Sequence, residues 1–508
     1  MEKRDDVRQE RRAAESAIQS SGLMRSLGMR GPAQPLWVMR LAGPWLAVAG
    51  AAILSGVFAA GQADVWLGRN PALLLIAAVA GGTFLILFSF LGSSAIVVWP
   101  IAATVGYLVE LPRDHPVLTF DRLWVGGLLA YVALNRRRIE RTPVTRLLFF
   151  ALLWLVASYG LRALATSASI YGPVRTWVDA IVLPTILFVA CERYCLLGAD
   201  RARRLAGALM IAGGVLGAIG IAERIWGFEL ATVTGGAVRF DQAIDQTRIS
   251  GPYPAPETYA LSLIVCFAAT LYWILSRRRG SGYGWALALA GIQLAGVGLA
   301  FFRAGWVAAI LVAVASIAFR PGRFGRTFAV VGISTALALA ATSQLQQNKT
   351  VAARVQNTDN IYSRLATYKQ GFEIFRSAPV FGIGVNGYHT VAEARPLEFV
   401  SGVRSVTYPH NSYIGLLAEQ GLVGFLPLLL LSYAVWRLVR GLRSASFQSK
   451  EAALLMGTVA GAALGYLIMS LTLTMLPYAP SNLFFAALLG AASGRLDAIT
   501  KQSQASSS

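Results

Sequence analysis

Runs of about 20 apolar residues recur along nearly the whole chain, each long enough to cross roughly 30 Å of hydrocarbon as a helix. Over 508 residues, 56% are hydrophobic and only 14% charged. Backbone N–H and C=O groups in lipid must be paired within the chain, which restricts a spanning fold to helices or a closed barrel. The runs do not alternate apolar with polar residues, so a barrel is excluded. The expected fold is all-α, a polytopic transmembrane helical bundle. Candidate spans cover 36–60, 71–90, 92–111, 119–135, 144–165, 178–198, 205–224, 257–276, 284–302, 304–319, 327–343, 412–438, 453–475 and 479–495, about 14 in all.

A net charge of +20 would ordinarily suggest nucleic acid or an anionic surface. Its placement suggests topology instead. Basic clusters lie at Lys3–Arg30, Arg136–Arg146, Arg193–Arg204, Arg277–Arg279, Arg320–Arg326, Arg437–Lys450 and Arg495–Lys501. Each falls between two apolar runs or at a chain end, and every second connection lacks one, as the positive-inside rule requires. No nucleic-acid partner is needed to explain the charge. With a cytoplasmic N-terminus, alternation puts all the clusters and both termini on the cytoplasmic side.

Residues 1–35 read as a cytoplasmic basic arm. They are too long and mixed for a signal-peptide n-region and lead into an uncleaved first span. Spans then fill 36–343 and 412–495, with a tail at 496–508. Cys191, Cys195 and Cys266 lie in or beside apolar runs. An odd number with none in a polar loop implies no disulfide framework.

Two outside connections are long. The first covers 225–256 and the second 344–411, lengths that are usually functional or disordered. Within the second, Tyr362, Leu365, Tyr368, Phe372 and Phe375 recur at helical spacing, predicting an amphipathic helix. Pro379 ends it, and Phe381-Gly382-Ile383-Gly384-Val385-Asn386-Gly387-Tyr388 follows as a glycine-rich turn region. This loop is expected to fold over the outer mouth of the bundle.

Polar residues converge on that face. His410, one of three histidines, and Asn411 stand where the loop meets the next span, and a neutral imidazole there can take a proton from a sugar hydroxyl. Arg248, Arg303 and Arg364 run against the positive-inside bias. A guanidinium suits an anionic ligand because it is permanently charged and bonds phosphate bidentately. Each has a plainer alternative. Arg248 can pair with Glu257 across a structural turn, Arg303 can snorkel from a helix end, and Arg364 can pair with Glu373 or Asp359. Glu419, two turns beyond His410, can orient the site or pair with an arginine. Arg239 is a further arginine of the first outside loop; Arg376, Arg395 and Arg404 read as a solvated face, His389 as structural or exposed, and His115 as an ordinary loop histidine. No phosphate-binding loop, nucleotide fingerprint or catalytic serine elbow occurs, and no Asp-x-Asp or histidine cluster suggests a metal.

These residues resemble the O-antigen ligase / O-antigen polymerase superfamily of bacterial membrane glycosyltransferases. The resemblance rests on Arg248-Ile249-Ser250-Gly251-Pro252, the Arg303 turn, Ser363-Arg364 leading into Ala378–Tyr388, and Pro409-His410-Asn411-Ser412-Tyr413 with Glu419-Gln420-Gly421-Leu422-Val423-Gly424. It spans about 240–440. It implies an undecaprenyl-diphosphate-linked glycan as donor and transfer to a sugar hydroxyl at the periplasmic face, with no cofactor and no metal. The acceptor would be a further lipid-linked glycan for a polymerase, or lipid A-core for a ligase; membrane lipid and other polysaccharide assembly proteins are the remaining expected partners. His410 would act as general base, with Asn411 orienting or bonding the acceptor. Arg303, Arg248 and Arg364 would hold the diphosphate, and Glu419 would support the site. The larger span count and the long arm favour the polymerase. A lipid-linked oligosaccharide flippase shares the composition but should show repeat symmetry, which the sequence lacks.

Overall fold

The computed structural model describes residues 91–106, 120–134, 140–166, 171–228, 240–241, 246–277, 282–318, 359–400, 403–406 and 408–507. The expected arm at 1–35, the spans at 36–60, 71–90 and 327–343, and His115 and Arg239 lie outside them. In chain order the helices are α1 (Ser94–Gly106), α2 (Phe120–Leu134), α3 (Pro143–Thr166), α4 (Tyr171–Trp177), a π turn (Val178–Val182), α5 (Leu183–Leu196), α6 (Ala199–Trp226), α7 (Pro256–Ser276), α8 (Tyr283–Leu299), α9 (Arg303–Ala318), α10 (Asp359–Ser377), α11 (Gly387–Ala394), α12 (Ser412–Ser446), α13 (Lys450–Thr472) and α14 (Ala479–Ser507). Two short antiparallel hairpins, Phe240–Asp241 with Gln246–Thr247 and Glu398–Val400 with Val403–Arg404, decorate the loops. The protein is an all-α membrane protein, and among the described residues seven helices are long and apolar enough to cross a bilayer.

Helix ends follow local chemistry. Pro143 and Pro256 open α3 and α7, where a missing N–H costs nothing. Gly227 closes α6 in the left-handed conformation, its N–H bonded to the Glu223 carbonyl. Several elements run past their expected limits: α4 and the π turn extend the 178–198 span backwards to Tyr171, α6 begins at Ala199, and α12 and α14 continue as helix through Ser446 and Ser507. Outside lipid an amphiphilic basic helix can continue in water, so apolar run length underestimates helix length.

Small residues set the packing. Gly457, Gly461 and Gly465 of α13 are four residues apart and lie against Ala315–Ser316, Val312 and Ala308 of α9, the close approach that small residues permit where lipid offers no hydrophobic drive. This register is antiparallel. Carried five residues further, it brings Arg303 level with the last turn of α13. Gly490 and Gly494 of α14 lie likewise against the backbone of α5 at Phe188 and Glu192.

The bundle has two chemically distinct ends. At one, Arg141 meets Glu192 at 2.6 Å, Ser493 donates to the same carboxylate at 3.0 Å, and Arg495 meets Glu451 at 2.8 Å. Asp497 accepts from the Thr145 hydroxyl at 2.8 Å and the Thr142 amide at 3.0 Å. The other end carries the loop helices and His410.

The candidate site where the loop helix meets the last spans

Asn411 caps α12. Its Oδ1 accepts from the amides of Tyr413 at 2.9 Å and Ile414 at 3.1 Å, which would otherwise be orphaned at the helix start. Its Nδ2 donates to the carbonyl of Leu471, in the last turn of α13, at 3.1 Å. Ser412 extends the junction by donating to the Leu473 carbonyl at 2.9 Å and accepting from the Met475 amide at 2.7 Å. The chain is therefore stitched to the end of α13 on both sides of the cap. The Asn411 amide, 6% exposed, spends its hydrogen bonds on structure.

His410 sits between this cap and the buried Pro409, with φ at +46°. A non-glycine residue in that region is held there only when its surroundings over-determine it, and such residues gather at functional sites. The loop helix supplies part of the restraint: the Tyr368 hydroxyl lies 3.0 Å from the Leu471 carbonyl and 3.5 Å from that of His410. Arg364 precedes Tyr368 by one turn and so shares its face. It is half-buried, and among the described residues it has no ion-pair partner, Glu373 included.

Helix α10 does not pack as its apolar periodicity predicts. The buried side is Ala366, Thr367, Gln370, Gly371 and Ile374, whereas Tyr362, Leu365 and Phe372 are exposed. Gly371 lets the helix lie against Ile414 of α12. The Thr367 hydroxyl accepts from the Val406 amide at 3.1 Å, and its carbonyl accepts from the Tyr388 hydroxyl at 2.9 Å. Burial, with the Glu419 carboxylate nearby, pushes the Tyr388 phenol above its ordinary value, so it stays a donor. Gln370 donates to the Arg395 carbonyl at 2.7 Å.

The glycine-rich segment repairs a break in α12. Gly421 leaves the helical conformation, with φ at +61° and ψ at −157°, interrupting the ladder. The carbonyls of Ala418 and Glu419 accept instead from the amides of Ile383 at 3.0 Å and Gly384 at 2.8 Å, while the amides of Leu422 and Val423 donate to Pro379 at 2.9 Å and Val380 at 3.1 Å. Two backbones cross at contact distance. A Cβ on Gly382 would run into the Glu419 carbonyl and the Gln420 amide, and one on Gly421 would sit 2.5 Å from the Val380 carbonyl. The Glu419 carboxylate accepts from the Tyr388 amide at 3.3 Å, so its partner is this segment, and among the described residues no arginine pairs with it.

Arg248 pairs with Glu257 at 3.3 Å, the structural alternative that the sequence left open, and its Nε donates to the Ala300 carbonyl at 3.4 Å. Glu223 accepts from the Gly251 amide at 2.9 Å. Arg303 opens α9 three residues after Ala300 and is exposed. Arg248 and Arg303 thus share one turn, and His410, Asn411 and the Arg364 helix share another, both at the same end of α13.

Sequence reasoning passed over Arg162 and Arg122. Arg162, near the end of α3, donates to the Gly382 carbonyl at 3.2 Å with its guanidinium 5.6 Å from the Phe381 ring centroid. Arg122 grips Asp179 with two bonds of 2.7 Å, and Arg175 adds a third contact at 3.6 Å. Both arginines stand at span ends far from the basic clusters, which is the signal that marked Arg303. Among the described residues no group of three His, Cys, Asp or Glu side chains could hold a metal ion.

Fold and site together define a multi-helix membrane protein with a cationic, histidine-bearing junction at one end. Residues 258–429 match the family model for O-antigen ligase, a segment that contains Arg303, Arg364, His410, Asn411 and Glu419 and stops short of Arg248 and Arg162. This match supports the O-antigen ligase / O-antigen polymerase superfamily, whose members are glycosyltransferase-like enzymes acting on lipid-linked glycans and their acceptors. No curated protein matches the chain.

Proposed function

We propose that the protein is an inner-membrane glycosyltransferase that moves an undecaprenyl-diphosphate-linked glycan onto a sugar hydroxyl at the periplasmic face, as a polymerase of O-antigen, capsule or exopolysaccharide. The observation that carries this reading is His410. A left-handed histidine, fixed between a buried proline and a helix cap and braced by Tyr368, is backbone strain maintained at a partly exposed junction.

In the proposed reaction the His410 imidazole takes the acceptor hydroxyl proton as the oxygen attacks the anomeric carbon. The bond to the diphosphate breaks on the opposite side, inverting the centre. Arg303 and Arg364 hold the diphosphate and stabilise the charge that develops on it, the role that a metal fills elsewhere. Arg248 acts at one remove, because Glu257 and the Ala300 carbonyl already engage it. Asn411 positions His410 through the cap instead of touching the acceptor. Glu419 positions the glycine segment.

The test is reconstitution with lipid-linked repeat units as the only substrate. A ladder of polymers establishes the polymerase. Product that appears only on adding lipid A-core establishes the ligase. A His410→Ala protein with full transfer activity in either format overturns the assignment.

A further inference from the structure

The exposed apolar residues of the loop end where the lipid-facing surface of the bundle begins. Val380 and Phe381, at the tip that follows α10, are 50% and 56% exposed. Directly beside them on α12, Leu422, Leu426, Leu429, Tyr433 and Trp436 form one exposed stripe at helical spacing. The two are joined by backbone, since the Leu422 and Val423 amides bond the Pro379 and Val380 carbonyls. On α3, exposed Leu161 and Leu164 flank Arg162, which contacts Phe381 and Gly382.

Two independent counts place this tip relative to the hydrocarbon. A helix rises about 1.5 Å per residue and needs about 20 residues to cross the core. Counted from Arg440 at the basic end of α12, the core ends near Gly421. Counted from Arg146 at the basic end of α3, it ends near Thr166, one turn from Arg162. Both levels coincide with the crossing of Val380–Gly382 over α12. Above it, α10 runs beside the first turns of α12, with Gly371 against Ile414 and Ile374 clustered with Ala418. The outward side of its last turns therefore presents Phe372, 47% exposed, with Lys369 and Arg376, both exposed, just outside the hydrocarbon. Aromatic rings with basic side chains around them suit that zone.

We propose that the Val380–Phe381 tip, with Phe372 behind it, is a membrane anchor seated in the bilayer leaflet nearer His410, its side chains against acyl chains and Lys369 and Arg376 against anionic headgroups. The loop is then held to the protein by its small, polar face and to the bilayer by its apolar one. This accounts for the outward facing of Phe372 in α10. The inference does not depend on the transfer chemistry.

Spin labels on the full-length protein test it, in nanodiscs of phosphatidylcholine and phosphatidylglycerol. Labels are placed singly at Phe381→Cys, Val380→Cys, Phe372→Cys, Leu365→Cys and, as the water-exposed reference, Tyr408→Cys; the native Cys191, Cys195 and Cys266 are buried. The expected result is a ratio of oxygen to nickel-complex accessibility several-fold higher at 380 and 381 than at 408, with 372 intermediate and 365 closer to the reference. A label at 380 or 381 that is as open to the nickel complex as the one at 408, or that is shielded from both reagents, overturns the proposal. Having two tip positions keeps the outcome readable if one substitution impairs folding.

Discussion

Around Glu192, Arg141 closes with charge-assisted bonds, Ser493 completes the carboxylate, and the Arg495–Glu451 and Asp497–Thr145 contacts continue the pattern through the same end of the bundle. Around His410 the cations outnumber the acids. The Glu419 carboxylate is taken by a backbone amide, Glu257 is taken by Arg248, and Arg364 has no ion-pair partner among the described residues. Buried charge is tolerated when paired and hydrogen-bonded, so the first end needs no ligand. Cations held near lipid beyond the supply of acids call for an anion from elsewhere. In the proposed reading, the difference separates charges that hold the bundle together from charges that meet a substrate.

Substitutions at each end can break that division. The largest effect is expected from His410→Ala, which should lower transfer by roughly 10²–10⁴-fold while leaving the melting temperature in detergent nearly unchanged. Glu192→Ala should do the reverse. It leaves the partly buried Arg141 without the fully buried carboxylate that pairs with it, a loss of up to about 3–5 kcal/mol, read as a lower unfolding temperature with normal activity per folded molecule. Arg364→Ala should cost roughly 10²-fold in turnover, and Arg364→Lys should restore only part, because a point charge replaces a planar fork. Gly382→Ala forces a side chain into a left-handed position against the Glu419 carbonyl and should destabilise by about 1–3 kcal/mol. Tyr368→Phe removes the hydroxyl beneath His410 and Leu471, with a stability change of about 1 kcal/mol and a modest fall in activity. If Glu192→Ala and Arg364→Ala gave the same phenotype, the distinction between the two ends would be lost.

The sequence by itself determined the helical membrane fold, because apolar runs of spanning length leave the backbone no other way to pair its hydrogen-bonding groups. It also marked His410 and the arginines that stand against the charge bias, because residue type and position alone carry that signal. The partners were decided by the tertiary structure. Asn411 became a cap, Arg248 met Glu257, Glu419 met a backbone amide, and Arg162 arrived from a distant span. Each of those outcomes depends on which orphaned backbone group or charge lies within about 3 Å, a matter of helix register and close glycine crossings that no periodicity encodes. The facing of α10 shows the same limit: its apolar stripe was legible, but the surface it faces depends on whether protein or lipid lies beside it.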